Sequence, residues 1–191
     1  MRYQHGHKAE THRRIVRGAA RQFRRNGLSG PAIATVMKAS GLTAGGFYKH
    51  FRNRDDLLIE AVEEGFREVG SGLITAARQA PSGEGWKAIV KRYLSIEHCE
   101  HPDTGCPVAA LAPDIARANS NLKKRLVGTM QTYRRQLVPF MPGENSMEKE
   151  RNFLVIFAAM AGAVAVARTA PDPATKQAVL GSVRDHLLES F

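Results

Sequence analysis

A chain of 191 residues with 28 Lys and Arg against 18 Asp and Glu, formal charge +10, has room for one large or two small domains, and 43% hydrophobic residues is enough to bury a core. Its two cysteines, Cys99 and Cys106, are too few for a secreted disulfide scaffold and read as reduced thiols. The basic start, MRYQHGHKAETHRR, lacks an apolar stretch, and the longest apolar run, 153–167, is Ala-rich and broken by Gly162, so a soluble, cytoplasmic chain without a membrane span is expected. The charge is unevenly placed. Residues 1–56 hold twelve Lys and Arg against three Asp and Glu, leaving sixteen against fifteen for the rest. The first third is therefore expected to meet a polyanion. Nucleic acid is favoured over a membrane surface, because the first helix needs its apolar stripe for packing.

That helix is predicted over about 8–26, with Ile15, Ala19 and Phe23 four apart, Val16 and Ala20 beside them, and Gly27 closing it. Its other face carries Arg13, Arg14, Arg17, Arg21, Arg24 and Arg25. Such a face is ordinarily solvated, although the arginines near its amino end can reach phosphate. Residues 31–58, PAIATVMKASGLTAGGFYKHFRNRDDLL, then put two very short helices around a glycine turn, the pattern of a helix-turn-helix. Gly30 is expected as the cap and Pro31 as the first position of the leading helix, with Ile33, Val36 and Met37 inward and Gly41 ending it. Leu42 packs in the turn, Thr43 caps the next helix through its hydroxyl, and Phe47 and Phe51 form its buried face. The outer face is left with Thr43, Ala44, Gly45, Gly46, Tyr48, Lys49 and His50. Small residues there let the backbone approach DNA, while Tyr48, Lys49 and His50 offer donors to phosphate oxygens or base edges. Asn53 caps a long fourth helix, about 54–80, with Asp55 and Asp56 in its first turn; Arg54 completes the candidate DNA-contacting set.

The fourth helix carries Leu58, Val62, Phe66, Val69 and Leu73 on one side and is expected to bridge the first bundle to the remainder. Loops are predicted at 81–85 and 98–107, with a helix between them holding Trp86, Ile89, Val90, Tyr93 and Leu94. Pro107 opens a sixth helix that Pro113 should kink or break. Asn119 or Ser120 caps a seventh, with Leu122, Leu126, Met130, Tyr133 and Leu137 inward. The eighth and ninth, about 146–169 and 173–190, meet at APDP, where Asp172 can cap and Pro173 start. The eighth is apolar nearly all round, and Ala158, Ala159, Ala161, Gly162, Ala163 and Ala165 permit close approach, so more than one of its faces must be covered. This pair reads as a dimerisation surface, since a lone helix-turn-helix reads few base pairs and a dimer supplies the second half-site. The fold expected is all-α, about nine helices.

The run GLTAGGFYKHFRNRDDLL, preceded by IVRGAARQFRRNGL, resembles the amino-terminal domain of the tetracycline-repressor (TetR) family of transcriptional regulators, in detail over about residues 10–62. Where that family often has Thr or Ser, this chain has Ala32 and Gly46, so fewer hydroxyls are available to phosphate. The resemblance implies a helix-turn-helix DNA-binding domain over 1–53 and an effector-sensing and dimerisation domain over 54–191. It implies a homodimer on a palindromic operator, formed through the last two helices, and a regulator, more often repressor than activator, released by a small-molecule or thiol-reactive effector. The effector would sit between the fourth and seventh helices. From the residues, Leu73, Trp86, Ile89, Tyr93, Leu111, Met130, Tyr133, Phe157 and Met160 are candidates for a lining, though apolar residues at helical spacing are more often core.

Cys106 precedes Pro107 at a predicted helix start, where free amides and the dipole would lower its pKa and favour a reactive thiolate; the alternative is a small buried apolar residue. His98, Cys99, His101 and Cys106 match no familiar zinc spacing, and no metal or cofactor is expected. Asp55 with Asp56, and Glu63 with Glu64, are adjacent and point to different helix sides, and there is no phosphate-binding glycine loop, GxSxG or HExxH, so an enzyme is not expected. The remaining alternative is a helical protein-protein adaptor that binds no DNA.

Overall fold

Ile15, Ala19 and Phe23 line one side of α1 (Arg2–Asn26) and are buried to within 1% exposure, as their four-residue recurrence predicts. In the computed structural model, residues 2–191 are described, with side chains from His7 onward, and among the described residues there are ten helices and no strand. After Gly27, whose φ is +78°, α2 (Ile33–Ala39) and the single-turn 3₁₀ helix α3 (Ala44–Lys49) pack on α1 through Val36, Met37 and Phe47. Gly41, at φ +72°, ends α2: its N–H bonds the Lys38 carbonyl at 3.0 Å and the Leu42 N–H returns to Met37 at 2.9 Å.

The expected start of α2 is corrected by two residues. Ala32, extended at φ −68° and ψ 151°, holds the cap position and no side chain bonds there. Pro31 lies outside the helix and is buried instead. Thr43 does hold the cap position of α3, but its hydroxyl makes no capping bond.

α4 (Arg54–Gln79) is capped as expected by Asn53, whose side chain accepts from the Asp56 N–H at 2.9 Å. Its first turns bury Leu57, Leu58 and Ala61 and its later ones Phe66, Leu73 and Ala77, so one helix serves the cores of both halves. Around it stand α5 (Gly85–Tyr93), the short α6 (Ile96–Glu100), α7 (Pro107–Arg117), α8 (Ser120–Leu137) with a 3₁₀ turn at Val138–Phe140, α9 (Ser146–Ala167) and α10 (Pro173–Ser190). The segment read as a loop from residue 98 begins inside α6, which Ser95 caps by accepting from the His98 N–H at 3.2 Å. α7 runs unbroken through Pro113, which is exposed, so the Ala109 carbonyl left without a helical donor is not sealed in the core. The apolar run belongs to a helix of 22 residues, and α9 is the one helix among the described residues long and apolar enough to cross a bilayer, with mean hydropathy 1.5. Its Phe153, Ile156, Met160 and Val164 are core residues of this fold, which accounts for that hydropathy.

Arg24, read with its neighbours as part of a solvated face, is buried at 4% exposure. It donates to Glu68 at 2.6 Å, to the Gly105 carbonyl at 3.1 Å and to the Ala20 carbonyl at 3.1 Å. Gly65 of α4 makes room for it: a Cβ there would stand 3.0 Å from the guanidinium and 2.8 Å from Pro107. Nearby, Asp114 of α7 accepts from the Leu28 N–H at 3.2 Å, and Arg54 donates to the Leu28 carbonyl, so the turn after α1 is clamped from both sides. Arg24→Ala strands Glu68 and the Gly105 carbonyl. It is expected to cost about 3 kcal/mol, the low end for breaking a buried ion pair because Glu68 keeps a wet edge, and urea denaturation measures it.

Candidate nucleic-acid interface and buried polar cluster

α3 displays Tyr48 at 75% exposure beside exposed Lys49, Ala44, Gly45 and Thr43, while Phe47, one residue away, is fully buried and stacks on Phe51 at 5.4 Å. The phenylalanines anchor the element and so aim its other residues outward. A Cβ on Gly45 would meet nothing within 4 Å and its φ is not positive, so neither packing nor backbone requires glycine there. Gly46 is half-buried, and a Cβ on it would touch only the end of Met37 at 3.6 Å. The bare surface is thus of use to something that approaches from outside the chain.

His50 is less open than expected. Its Nδ1 is buried with no partner among the described residues, and its ring lies 5.9 Å from that of His12, which in turn stacks on Phe51 at 4.6 Å and bonds Glu60 at 2.5 Å. Burial, then the charges of His12, Lys8 and Lys49, hold the His50 imidazole below its ordinary pKa, which favours the neutral ring. Arg54 faces inward: besides its bond to Leu28, its guanidinium lies 5.5 Å above the Phe23 ring. It therefore stands apart from the exposed row of α3.

The candidate effector residues divide. Tyr93, Tyr133 and Cys106 come together, whereas Trp86 packs near Phe191 at the far end of α5 and Met130 is a half-buried residue of α8 outside the grooves described here. Ile89, Leu111 and Met160 are closed core. A groove of about 660 Å³ between α4 and α8 is floored by Phe66, Ile74 and Tyr133 and rimmed by Thr129, Thr132 and Arg78. A second, of about 690 Å³, runs between α4 and α5 along Val69, Leu73 and Ala88 to Tyr93 and His98.

His98 ties the cluster together. Its Nδ1 donates to the Tyr93 carbonyl at 2.6 Å and its Nε2 accepts the Cys106 N–H at 2.9 Å, the tautomer that leaves no site for a second proton. Burial, with the charges of Arg168 and Arg24, pushes its pKa down to about 4. Cys106 holds the predicted cap position of α7, yet the dipole does not decide its chemistry: burial pushes the thiol up, outweighing the Tyr93 hydroxyl and the Ala109 and Val108 amides. A protonated thiol at 1% exposure replaces the reactive thiolate expected from its place at the helix start. Cys99 is buried too, and the described residues contain no group of three or more potential metal ligands. Sequence reasoning missed Arg168, whose Nε and Nη2 donate to the Cys99 and His98 carbonyls at 3.0 and 3.1 Å. It also missed Gly70, against which the Tyr133 ring lies so closely that a Cβ would fall 1.8 Å from Cε2. Neither residue belongs to a motif, and only the packing of distant helices reveals them.

Gly45→Ala is expected to leave stability unchanged or raise it by up to about 1 kcal/mol while weakening binding to duplex DNA, a split that thermal melts and fluorescence anisotropy resolve. The unfolded chain takes up a proton at His98 as pH falls below 6.5, whereas the folded chain resists until about 4. Stability from this group is therefore complete above pH 6.5 and lost toward pH 4, by about 3 kcal/mol in all. Urea midpoints across this range should fall less in His98→Gln than in the parent.

Residues 15–61 match the tetR family of bacterial regulatory proteins. Among solved structures, the chain is 25% identical to a TetR transcriptional regulator from Chloroflexus aurantiacus J-10-FL, with 99% of this chain and 98% of that one covered and a TM-score of 0.76. It shares its fold with FadR from Bacillus subtilis in complex with stearoyl-CoA, at 16% identity, 93% and 98% coverage and a TM-score of 0.70. The reduced form of NemR from E. coli has the same fold, at 14% identity, 94% and 96% coverage and a TM-score of 0.72. No curated protein matches the sequence. The helix-turn-helix segment thus matches the tetR family of bacterial regulatory proteins, and the whole chain shares its fold with regulators of that family.

Proposed function

We propose that the chain is a homodimeric repressor that acts by binding alone, in the cytoplasm, and leaves a palindromic operator when a small molecule enters its carboxy-terminal unit. The observation that carries the reading is the exposed Tyr48–Lys49 edge of α3 beside bare Gly45, mounted on the strongly basic first third of an otherwise near-neutral chain. Thr43, Ala44, Gly45, Gly46, Tyr48 and Lys49 form the DNA contact, with His50 at its edge and Arg54 orienting it from behind. Residues 1–53 bind DNA, and 54–191 sense the effector and dimerise.

The last two helices supply the dimer contact. Leu154, Val155 and Val166 are large apolar side chains more than half exposed, and Ala158, Gly162 and Ala165 lie exposed among them on α9, a surface suited to a second copy. Two recognition elements then enter successive major grooves roughly 34 Å apart. The stearoyl-CoA held by FadR supports an organic effector within this fold. Burial of the Cys106 thiol favours a non-covalent effector over a thiol-reactive one. An effector that prefers the conformation with the other spacing lowers DNA affinity by its difference in affinity for the two states.

Fluorescence anisotropy with duplex DNA at several salt concentrations tests the reading. Affinity should fall steeply with salt, and Lys49→Ala should reduce the slope of log affinity against log salt by about 1 if Lys49 meets a phosphate, or relax sequence preference if it meets a base. Absence of any salt-sensitive duplex binding would leave the adaptor reading in its place.

A further inference from the structure

Three hydrogen-bond donors of the carboxy-terminal half are buried with no nitrogen or oxygen partner among the described residues. They are the hydroxyl of Tyr93, a residue 1% exposed, that of Tyr133, and Nη1 of Arg168. The Cys106 thiol lies beside the Tyr93 hydroxyl and meets the Val108 and Ala109 amides. Distant parts of the chain bring them together: Tyr93 from α5, Cys106 from the start of α7, Tyr133 from α8 and Arg168 just after α9. His98 joins two of them, bonding the Tyr93 carbonyl and the Cys106 amide, with its ring edge-on to Tyr93 at 4.4 Å. Arg168 lies against the same spot, its Nη2 2.8 Å from where a Cβ on Gly105 would stand. Gly70 leaves the notch that lets the Tyr133 hydroxyl into the interior.

Each buried hydroxyl without a partner destabilises the fold, and a guanidinium nitrogen held from water without an anion does so more. Arg168 spends its other nitrogens on neutral carbonyls and makes no ion pair among the described residues. Native chains seldom keep such groups unless something satisfies them. All three can donate and one is a permanent cation, so the complementary group is an acceptor with negative charge. The groove that ends at Tyr93 and His98 offers an apolar strip of Val69, Leu73 and Ala88 to a short hydrocarbon tail, flanked by Glu68, Lys91, Arg92 and Glu97.

We infer that Tyr93, Tyr133 and Arg168 form the head-group site for an organic carboxylate, whose apolar portion lies in the groove between α4 and α5. This rests on the reading of the carboxy-terminal unit as effector-binding and names the chemical class of that effector. The carboxylate takes the Arg168 Nη1 proton donor and the two phenolic O–H groups, and no covalent step is involved. Tyr133, drawn toward the head group, would leave the Gly70 notch and shift α8 against α4, the helix that carries the DNA-binding half.

Isothermal titration of the full-length chain, without DNA, with hexanoate, octanoate and benzoate and with their primary amides tests the site. At least one acid should bind, and its amide should bind about tenfold or more weakly. Arg168→Gln should abolish that preference, and Tyr93→Phe with Tyr133→Phe should lower acid affinity about tenfold or more. Within the described residues the double variant loses only the contact of the Tyr93 hydroxyl with the Cys106 thiol, so its melting temperature should stay close to that of the parent, and it decides the matter should Arg168→Gln fail to fold. Equal binding of acid and amide, parental acid affinity in the double variant, or no heat with any acid overturns the inference. Because the titration contains no DNA, its failure is separate from a failure of duplex binding.

Discussion

Arg24 reaches from α1 into the interior and meets the carboxylate of Glu68 on α4 and the carbonyl of Gly105 at the mouth of α7. A charge in that position tolerates little displacement, because every donor that leaves its acceptor strands a polar group in low dielectric. The geometry of the amino-terminal bundle is thereby tied to residue 105, and Cys106, one residue on, begins the polar cluster of the other half. Gly65 makes this possible, since any larger residue would push α1, α4 and α7 apart where they meet. The Asp114 and Arg54 bonds to Leu28 repeat the tie one turn of chain away.

That arrangement gives α4 a double role. Its first turns are core to the amino-terminal half and its later turns are walls of both grooves. Gly65 and Gly70 hold it in place by close contact, Arg24 and Pro107 lying against the one and the Tyr133 ring against the other. The surface of α3 shows the opposite character. Its outward residues owe nothing to internal packing, and bare Gly45 costs helix stability that nothing inside the chain recovers.

Much of the first half was legible because its determinants are local. Phe47 and Phe51 four apart, Gly41 at the turn and Asn53 before two aspartates each act within a few residues, and each did what its spacing implies. Cap details at Ala32 and Thr43 escaped, since the backbone can satisfy a helix start in more than one register. α6 was hidden because five residues, with one histidine and one cysteine among them, carry no periodicity. Cys106 shows the limit most clearly. Its helix-start position was readable, but burial, which reverses the expected direction of its pKa, depends on side chains from α5 and from beyond α9.

The sequence alone determined the all-helical class, the helix-turn-helix and its outward residues, and the concentration of charge in the first third, because periodicity, capping and charge are properties of neighbouring residues. The tertiary structure alone decided that Arg24 and Arg54 turn inward, that Tyr93, Tyr133, Cys106 and Arg168 meet, and that Trp86 does not join them. Those outcomes depend on which helices lie side by side, and burial by a partner many residues away leaves no trace in the local order of amino acids.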